Sequence, residues 1–153
     1  MSDYDLPLEL ELPDTAATEA LAARLAPLLR PGDLILLEGP LGAGKTTLVR
    51  GLATALGGDA AEVCSPTFVL LESYAVDAGA IRRLHHADLY RLRGRSAAPL
   101  DEVGLGECLD DTAAVTAVEW PESWPWLPDL AARVVRVCLS YAGDGRRARV
   151  SLT

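Results

Sequence analysis

The sequence predicts an α/β fold, a mainly parallel sheet flanked by helices with antiparallel strands at its edges. Three observations carry this. "LILLE" (34–38) is a continuous apolar run, the mark of a strand buried on both faces, and "AVTAV" (114–118) is a second one. After the first run come a short glycine-rich stretch and then Leu48, Leu52 and Leu56, which repeat at helical spacing. Near both ends of the chain the apolar residues alternate instead with period two, as in strands that face the core on one side only. Buried strands joined by helices in the middle and alternating strands outside make an α/β sheet. With 153 residues the whole chain, 1–153, is expected to form a single domain.

Each element follows in order. "LELEL" (8–12) is a short strand. "PDT" starts a helix with Asp14 or Thr15 as N-cap, and Leu21, Leu25, Leu28 and Leu29 share one face of it. "RPGD" (30–33) ends the helix before the first buried strand. The helix of Leu48 to Leu56 stops at Gly57-Gly58. "TFVLLESYAV" (67–76) and "AIRRLHHAD" (80–88) are two strands around the turn-prone "DAG". Residues 96–112 are mixed, with short helical turns. The second buried strand ends in Glu119 and Trp120, and "WPESWPWLP" is rigid. "RVVRVCLSY" and "RRARVSLT" alternate around "AGDG" as a terminal hairpin.

Composition narrows the function. No apolar run approaches the length of a membrane span, and "MSDYDLPLELEL" lacks the basic-then-apolar order of a signal peptide, so a cytoplasmic protein is expected, with no membrane partner. Cys64, Cys108 and Cys138 form no C-x-x-C pair and are expected to be reduced, mostly buried thiols. A net charge of −8 argues against unaided nucleic-acid binding, which needs a concentrated positive footprint. The clusters Arg82/Arg83, Arg91/Arg93/Arg95 and Arg146/Arg147/Arg149 read mostly as solvated faces. The middle cluster is a candidate for partner or phosphate contact, because it follows a candidate metal ligand.

The glycine-rich stretch carries the chemistry. Of the 14 basic residues only Lys45 is a lysine, and it lies in "GPLGAGKTT". Gly39-x4-Gly44-Lys45-Thr46 is a complete Walker A pattern. Glycines let the backbone curl until successive N–H groups face phosphate oxygens, and the following helix adds its positive end. Lysine supplies a compact charge for β- and γ-phosphates, and Thr46 a hydroxyl for Mg²⁺. Arginine is forked and bulkier and does not replace that point charge in a tight loop. The candidate nucleotide-binding run is therefore Gly39, Pro40, Leu41, Gly42, Ala43, Gly44, Lys45, Thr46 and Thr47.

Such a loop requires an acid near the metal and a group that places water. Acids at strand ends are the candidates, since ligands sit at that edge of an α/β sheet. Glu119 follows a good apolar strand. Asp88 follows "RRLHHA", which periodicity alone does not select. The chain has no asparagine and so no N-K-x-D guanine motif, and "DEVG" (101–104) is too short to count for a GTPase. ATP is favoured. A small-molecule kinase, or a binding module gated by nucleotide with incidental hydrolysis, stays open at this point.

"GPLGAGKTT", "SPTFVLLESY" (65–74), "HHADLYRL" (85–92), "DEVGLGECLDD" (101–111) and "VEWPE" (118–122) together resemble, in order and spacing, the TsaE (YjeE) family. These are small bacterial ATPases required for threonylcarbamoyladenosine formation on tRNA. The resemblance covers about residues 10–150 and implies a P-loop NTPase-like fold with ATP and Mg²⁺ as cofactors. It implies that Lys45 binds the β/γ-phosphates and that Thr46, Asp88 and Glu119 surround the metal. Asp88 would be the Walker B aspartate and Thr67 the switch threonine, with Lys45, Glu119, Asp88 and Thr67 as the catalytic set. Trp120 would lie beside the site, and Asp14 and Thr15 near the adenine. The implied partners are the TsaB–TsaD complex, with tRNA (adenosine 37) reached only through them. Two departures stand out: Pro40 where aspartate is frequent, and Cys108 where an aromatic is common.

Overall fold

A computed structural model describes residues 6–63, 71–93 and 104–153. Among the described residues seven strands form one sheet. The strands are β1 (Leu8–Leu12), β2 (Leu34–Glu38), β3 (Leu71–Ala78), β4 (Ile81–Asp88), β5 (Ala114–Glu119), β6 (Val134–Ala142) and β7 (Gly145–Leu152). Among the described residues the helices are α1 (Thr15–Leu25), α2 (Lys45–Ala55) and the short α3 (Leu105–Leu109).

The sheet order is β1-β7-β6-β2-β5-β4-β3. β6, β2, β5 and β4 are mutually parallel neighbours. β1 with β7, β7 with β6, and β3 with β4 pair antiparallel. The mainly parallel centre with antiparallel edges is thus the architecture the sequence predicts.

The apolar runs have a direct cause. β2 sends Ile35 and Leu37 into a core shared with Leu21 and Leu25 of α1 and with Leu48 and Leu52 of α2. Its Leu34 and Leu36 enter a second core on the opposite face, with Leu105, Trp124 and Leu127. Every residue of β5 is buried. A strand covered on both sides has no polar face to alternate with. Among the described residues the second face is covered by α3 and by 3-10 turns at Pro121–Ser123 and Leu127–Leu130.

Local signals resolve as follows. Asp14 caps α1 by accepting from the Ala17 N–H at 2.9 Å. Leu28 falls in a 3-10 turn after α1 and is only half-buried. β3 continues through "DA", so its turn with β4 is Gly79-Ala80, and its described part begins at Leu71. The terminal hairpin closes over Gly143-Asp144. Cys108 is buried and Cys138 half-buried, and both are free. Burial pushes each thiol up to about 11. Cys108 fills the second core beside Leu105, the place where its departure from the family pattern falls. Among the described residues no helix is long and apolar enough to cross a membrane.

β4 adds polar contacts to the apolar packing of Ile81, Leu84 and Ala87. Arg83 grips Asp111 with two bonds, 2.6 and 2.8 Å. His85 Nε2 lies 2.9 Å from the same carboxylate, and His85 Nδ1 lies 2.6 Å from Ser73 Oγ. The Arg83 guanidinium holds the Asp111 carboxyl well below the usual carboxylate range, against the opposing effect of burial, helped by the Ala113 N–H and His85. A carboxylate with a depressed folded value lends stability above its unfolded value, about pH 4, and that stability is lost as pH falls further. Asp111→Asn is therefore expected to lower the urea midpoint at neutral pH, and the gap to wild type should narrow progressively as pH falls below about 4. A gap that stays constant over that range would rule out this clamp as a stabilising charge.

Candidate functional site

The loop of residues 39–44 joins β2 to α2. Gly39 has φ 149°, and a Cβ there would lie 2.5 Å from the Leu139 carbonyl oxygen of β6. Only glycine allows the loop to leave the sheet that close to its neighbour. Gly44 has φ 104° and precedes the first residue of α2, Lys45. The loop is pinned from outside by the terminal hairpin. The Tyr141 hydroxyl donates to the Leu41 carbonyl, and the Arg146 guanidinium donates to the Gly42 carbonyl at 3.0 and 3.2 Å. Arg146 also lies over the Tyr141 ring at 4.6 Å.

Lys45 is only 5 % exposed. Its ammonium turns back onto the loop, donating to the Gly39 carbonyl and, at 3.0 Å, to the Pro40 carbonyl. It also sits 4.0 Å from the centre of the Trp120 ring. Pro40, the departure in the loop, contributes a carbonyl, which its missing N–H leaves unaffected. Burial lowers the pKa of Lys45 from its ordinary 10.5, opposed by the charges of Glu119, Glu122 and Asp88. Burial likewise raises the Glu122 carboxyl, with Glu38 adding to the effect, against the pull of Lys45 and Arg136.

Register brings the acids to the loop. In the parallel ladder Leu37 is opposite Glu119, and Asp88 is opposite Glu119 on the other side. Glu119 is 3 % exposed, and the Thr46 hydroxyl lies 3.2 Å from each of its oxygens. On the interior side His86 Nε2 lies 2.5 Å from Glu119 Oε2. Asp88 Oδ1 accepts from the Tyr90 N–H at 2.9 Å.

Trp120 walls one side in a left-handed conformation, φ 60° and ψ 49°. For a bulky residue this costs about 1–2 kcal/mol, so surrounding contacts must hold it. Tyr90 meets the ring edge-on at 5.0 Å. The Arg93 guanidinium stacks 3.5 Å over Tyr90 and lies 5.3 Å from Trp120. The Trp120 N–H reaches the Leu37 carbonyl at 3.3 Å.

These groups border one cavity of about 400 Å³, lined by Gly44, Lys45, Thr46, Asp88, Glu119 and Trp120 together with Arg91 and others. A second recess of about 170 Å³ is lined by Asp14, Thr15, Thr18, Asp144 and Arg146, and it shares Gly42, Gly44 and Thr47 with the first. The structure thus gathers the loop, Asp88, Glu119 and Trp120 in one place and sets Asp14 and Thr15 next door. Thr67 and Arg95 lie outside the described residues.

The site contains groups the sequence reading missed. His86, Tyr90 and Glu122 lie inside the quoted family motifs but were given no role, and Glu38 was not singled out. Arg146 and Tyr141 are about a hundred residues from the loop they brace. The motif "HHADLYRL", which sets His86 two residues before a strand-end acid, was the available signal.

The donor set is chemically specific. Loop amides, an ammonium group and a helix N-terminus suit a polyphosphate. One hydroxyl and two carboxylates are hard oxygen donors, the set that suits Mg²⁺. Among the described residues no group of three His, Cys, Asp or Glu could hold a metal unaided. Mg²⁺ is ordinarily bound by one or two carboxylates together with substrate phosphates, so the residues fit it.

Comparison with known proteins places the chain in a family. Residues 12–148 match the family model described as threonylcarbamoyl adenosine biosynthesis protein TsaE. The tRNA threonylcarbamoyladenosine biosynthesis protein TsaE of a Synechocystis strain is 42 % identical over 79 % of this chain and 74 % of its own. Its counterpart in a Nostoc strain is 38 % identical over 89 % of this chain and 80 % of its own. Among solved structures, that of Bacillus subtilis YdiB superposes with a TM-score of 0.63 at 27 % identity, covering 94 % of this chain and 84 % of that one.

The lowered pKa of Lys45 has a testable sign. Between its folded value and 10.5 the unfolded chain binds more protons than the folded one, so stability rises with pH across that window. Lys45→Met removes this dependence. Urea midpoints should therefore shift in favour of wild type, relative to Lys45→Met, as pH is raised from neutral towards about 10. A pH-independent difference would contradict the burial of this charge.

Proposed function

The chain belongs to the TsaE family of threonylcarbamoyl adenosine biosynthesis proteins, and on that premise we propose that it is a Mg²⁺-dependent ATPase that drives turnover of a TsaB–TsaD complex modifying adenosine 37 of tRNA. The convergence of Lys45, Thr46, Asp88 and Glu119 on one cavity at the strand ends is the observation that carries this reading.

In this reading Lys45 exchanges the carbonyls of Gly39 and Pro40 for β- and γ-phosphate oxygens. The amides of the loop and of the first turn of α2 hold the phosphate chain. Thr46, Asp88 and Glu119 would hold Mg²⁺, which would supply positive charge against the phosphates. Glu119, fixed from two sides, orients the attacking water. Trp120, backed by Tyr90 and Arg93, keeps bulk water from that end of the cavity. The recess at Asp14 and Thr15 accommodates the base side, and Thr67 senses the γ-phosphate.

Partners follow from charge. With a net charge of −8 the chain repels tRNA at long range, so tRNA contact is assigned to TsaB–TsaD and this chain contributes nucleotide-dependent association.

Glu119→Gln tests the reaction itself. The amide is nearly isosteric but lacks the charge that steers water or metal. The variant is expected to fold and bind ATP yet release phosphate at least about tenfold more slowly in the presence of TsaB–TsaD, or about 1.4 kcal/mol of barrier. Wild-type turnover in the variant would refute the role of Glu119. A phosphorylated small molecule in place of free phosphate would make the protein a kinase.

A further inference from the structure

Behind the cavity a chain of hydrogen bonds runs through the interior across three adjacent strands. Tyr74 Oη on β3 lies 3.3 Å from His86 Nδ1 on β4. His86 Nε2 lies 2.5 Å from Glu119 Oε2 on β5. Glu119 in turn meets the Thr46 hydroxyl at 3.2 Å. Tyr74 is buried, and His86 has no exposed surface at all. Their rings are 6.1 Å apart and tilted by 42°.

The chemistry of the groups orders the chain. An ionised carboxylate accepts and does not donate, so the imidazole presents N–H at Nε2. In a neutral ring Nδ1 is then an acceptor, and the Tyr74 hydroxyl is the donor that reaches it. Tyr74 thereby selects the tautomer, and His86 ties down Oε2 of Glu119. That leaves Oε1 and the Thr46 hydroxyl to serve the cavity. Without the imidazole, Glu119 would be a buried carboxylate with a single hydroxyl donor and freedom to rotate.

We infer that His86 and Tyr74 are positioning residues of the metal–nucleotide site, which orient Glu119 through Nε2–H of a tautomer set by the Tyr74 hydroxyl. This rests on the nucleotide and Mg²⁺ reading above. Hydrogen-bonded partners of a ligating carboxylate fix its direction, and losing one typically costs about 10–100-fold in metal affinity. Histidine packed merely as a core residue would affect stability and leave that affinity alone.

The experiment uses the full chain, a fluorescent ADP analogue and a Mg²⁺ titration, so that it needs no hydrolysis. Melting temperature is read alongside. In His86→Leu the affinity for the analogue without metal should hold, while the Mg²⁺ midpoint rises about 10–100-fold. His86→Gln, whose amide can donate from near the Nε2 position, should recover much of the shift. Tyr74→Phe removes only the hydroxyl and should move the midpoint in the same direction by less. A Mg²⁺ midpoint unchanged in His86→Leu, or a glutamine variant as impaired as the leucine one, would overturn the inference. If His86→Leu does not fold, Tyr74→Phe decides: a raised midpoint supports the relay, and an unchanged one overturns it. Wild-type protein that fails to bind the analogue with Mg²⁺ would instead remove the nucleotide reading and this inference with it. A normal wild-type titration with unaffected variants removes the inference alone.

Discussion

Parallel strands end on the same edge of a sheet, and the pairing of β5 with β2 on one side and β4 on the other makes that edge a site. β2 delivers the start of the phosphate-type loop, β5 delivers Glu119 and β4 delivers Asp88. Because Glu119 is in register with Leu37 and with Asp88, no loop has to search for the acids. A shift of one residue in either pairing would turn a carboxylate to the other face of the sheet. The two apolar cores enforce the register, since β2 and β5 are covered on both faces and tolerate no slip. The site is therefore a consequence of packing far from it.

Charge at that edge is costly to the fold. Lys45 and Glu119 are both nearly buried, and burial lowers the Lys45 pKa despite three acids nearby. Replacing buried charge by apolar side chains is often neutral or stabilising, so folding does not explain these residues. Trp120 in a left-handed conformation points the same way, because strain of this kind persists only where surrounding contacts hold it, and such strain gathers at active sites and ligand clamps. Those contacts are the Tyr90 and Arg93 stack, the Lys45 ammonium and the Leu37 carbonyl.

Much of this was legible in the sequence, for reasons that differ by element. β2 and β5 announce themselves because double-sided burial leaves an unbroken apolar run. The loop announces itself because glycine at Gly39 and Gly44 and lysine at Lys45 answer steric and charge demands that few other residues meet. Glu119 follows from its position at the end of β5. β4 was legible as a strand over 80–88, but its role was not, because its buried imidazoles find partners distant in sequence: His85 is satisfied by Ser73 and Asp111, and His86 by Tyr74 and Glu119. Hydrophobic periodicity is weak in a strand that buries two imidazoles among Ile81, Leu84 and Ala87, and it was the family resemblance that raised Asp88 above the other strand-end candidates. The bracing of the loop by Tyr141 and Arg146 was invisible for another reason. It depends on the hairpin folding back across the sheet, a contact about a hundred residues long in sequence with no local pattern.

The claim at the centre is that the loop, Thr46 and the two strand-end carboxylates form one nucleotide and Mg²⁺ site. Calorimetric titration of ATP with Mg²⁺ into wild type and Lys45→Ala tests it most directly. A charge-assisted contact is worth about 1.5–3 kcal/mol, so the account predicts measurable binding by wild type and a roughly 10- to 150-fold weaker affinity in the variant. Equal affinities in the two proteins, or none in wild type, would contradict it.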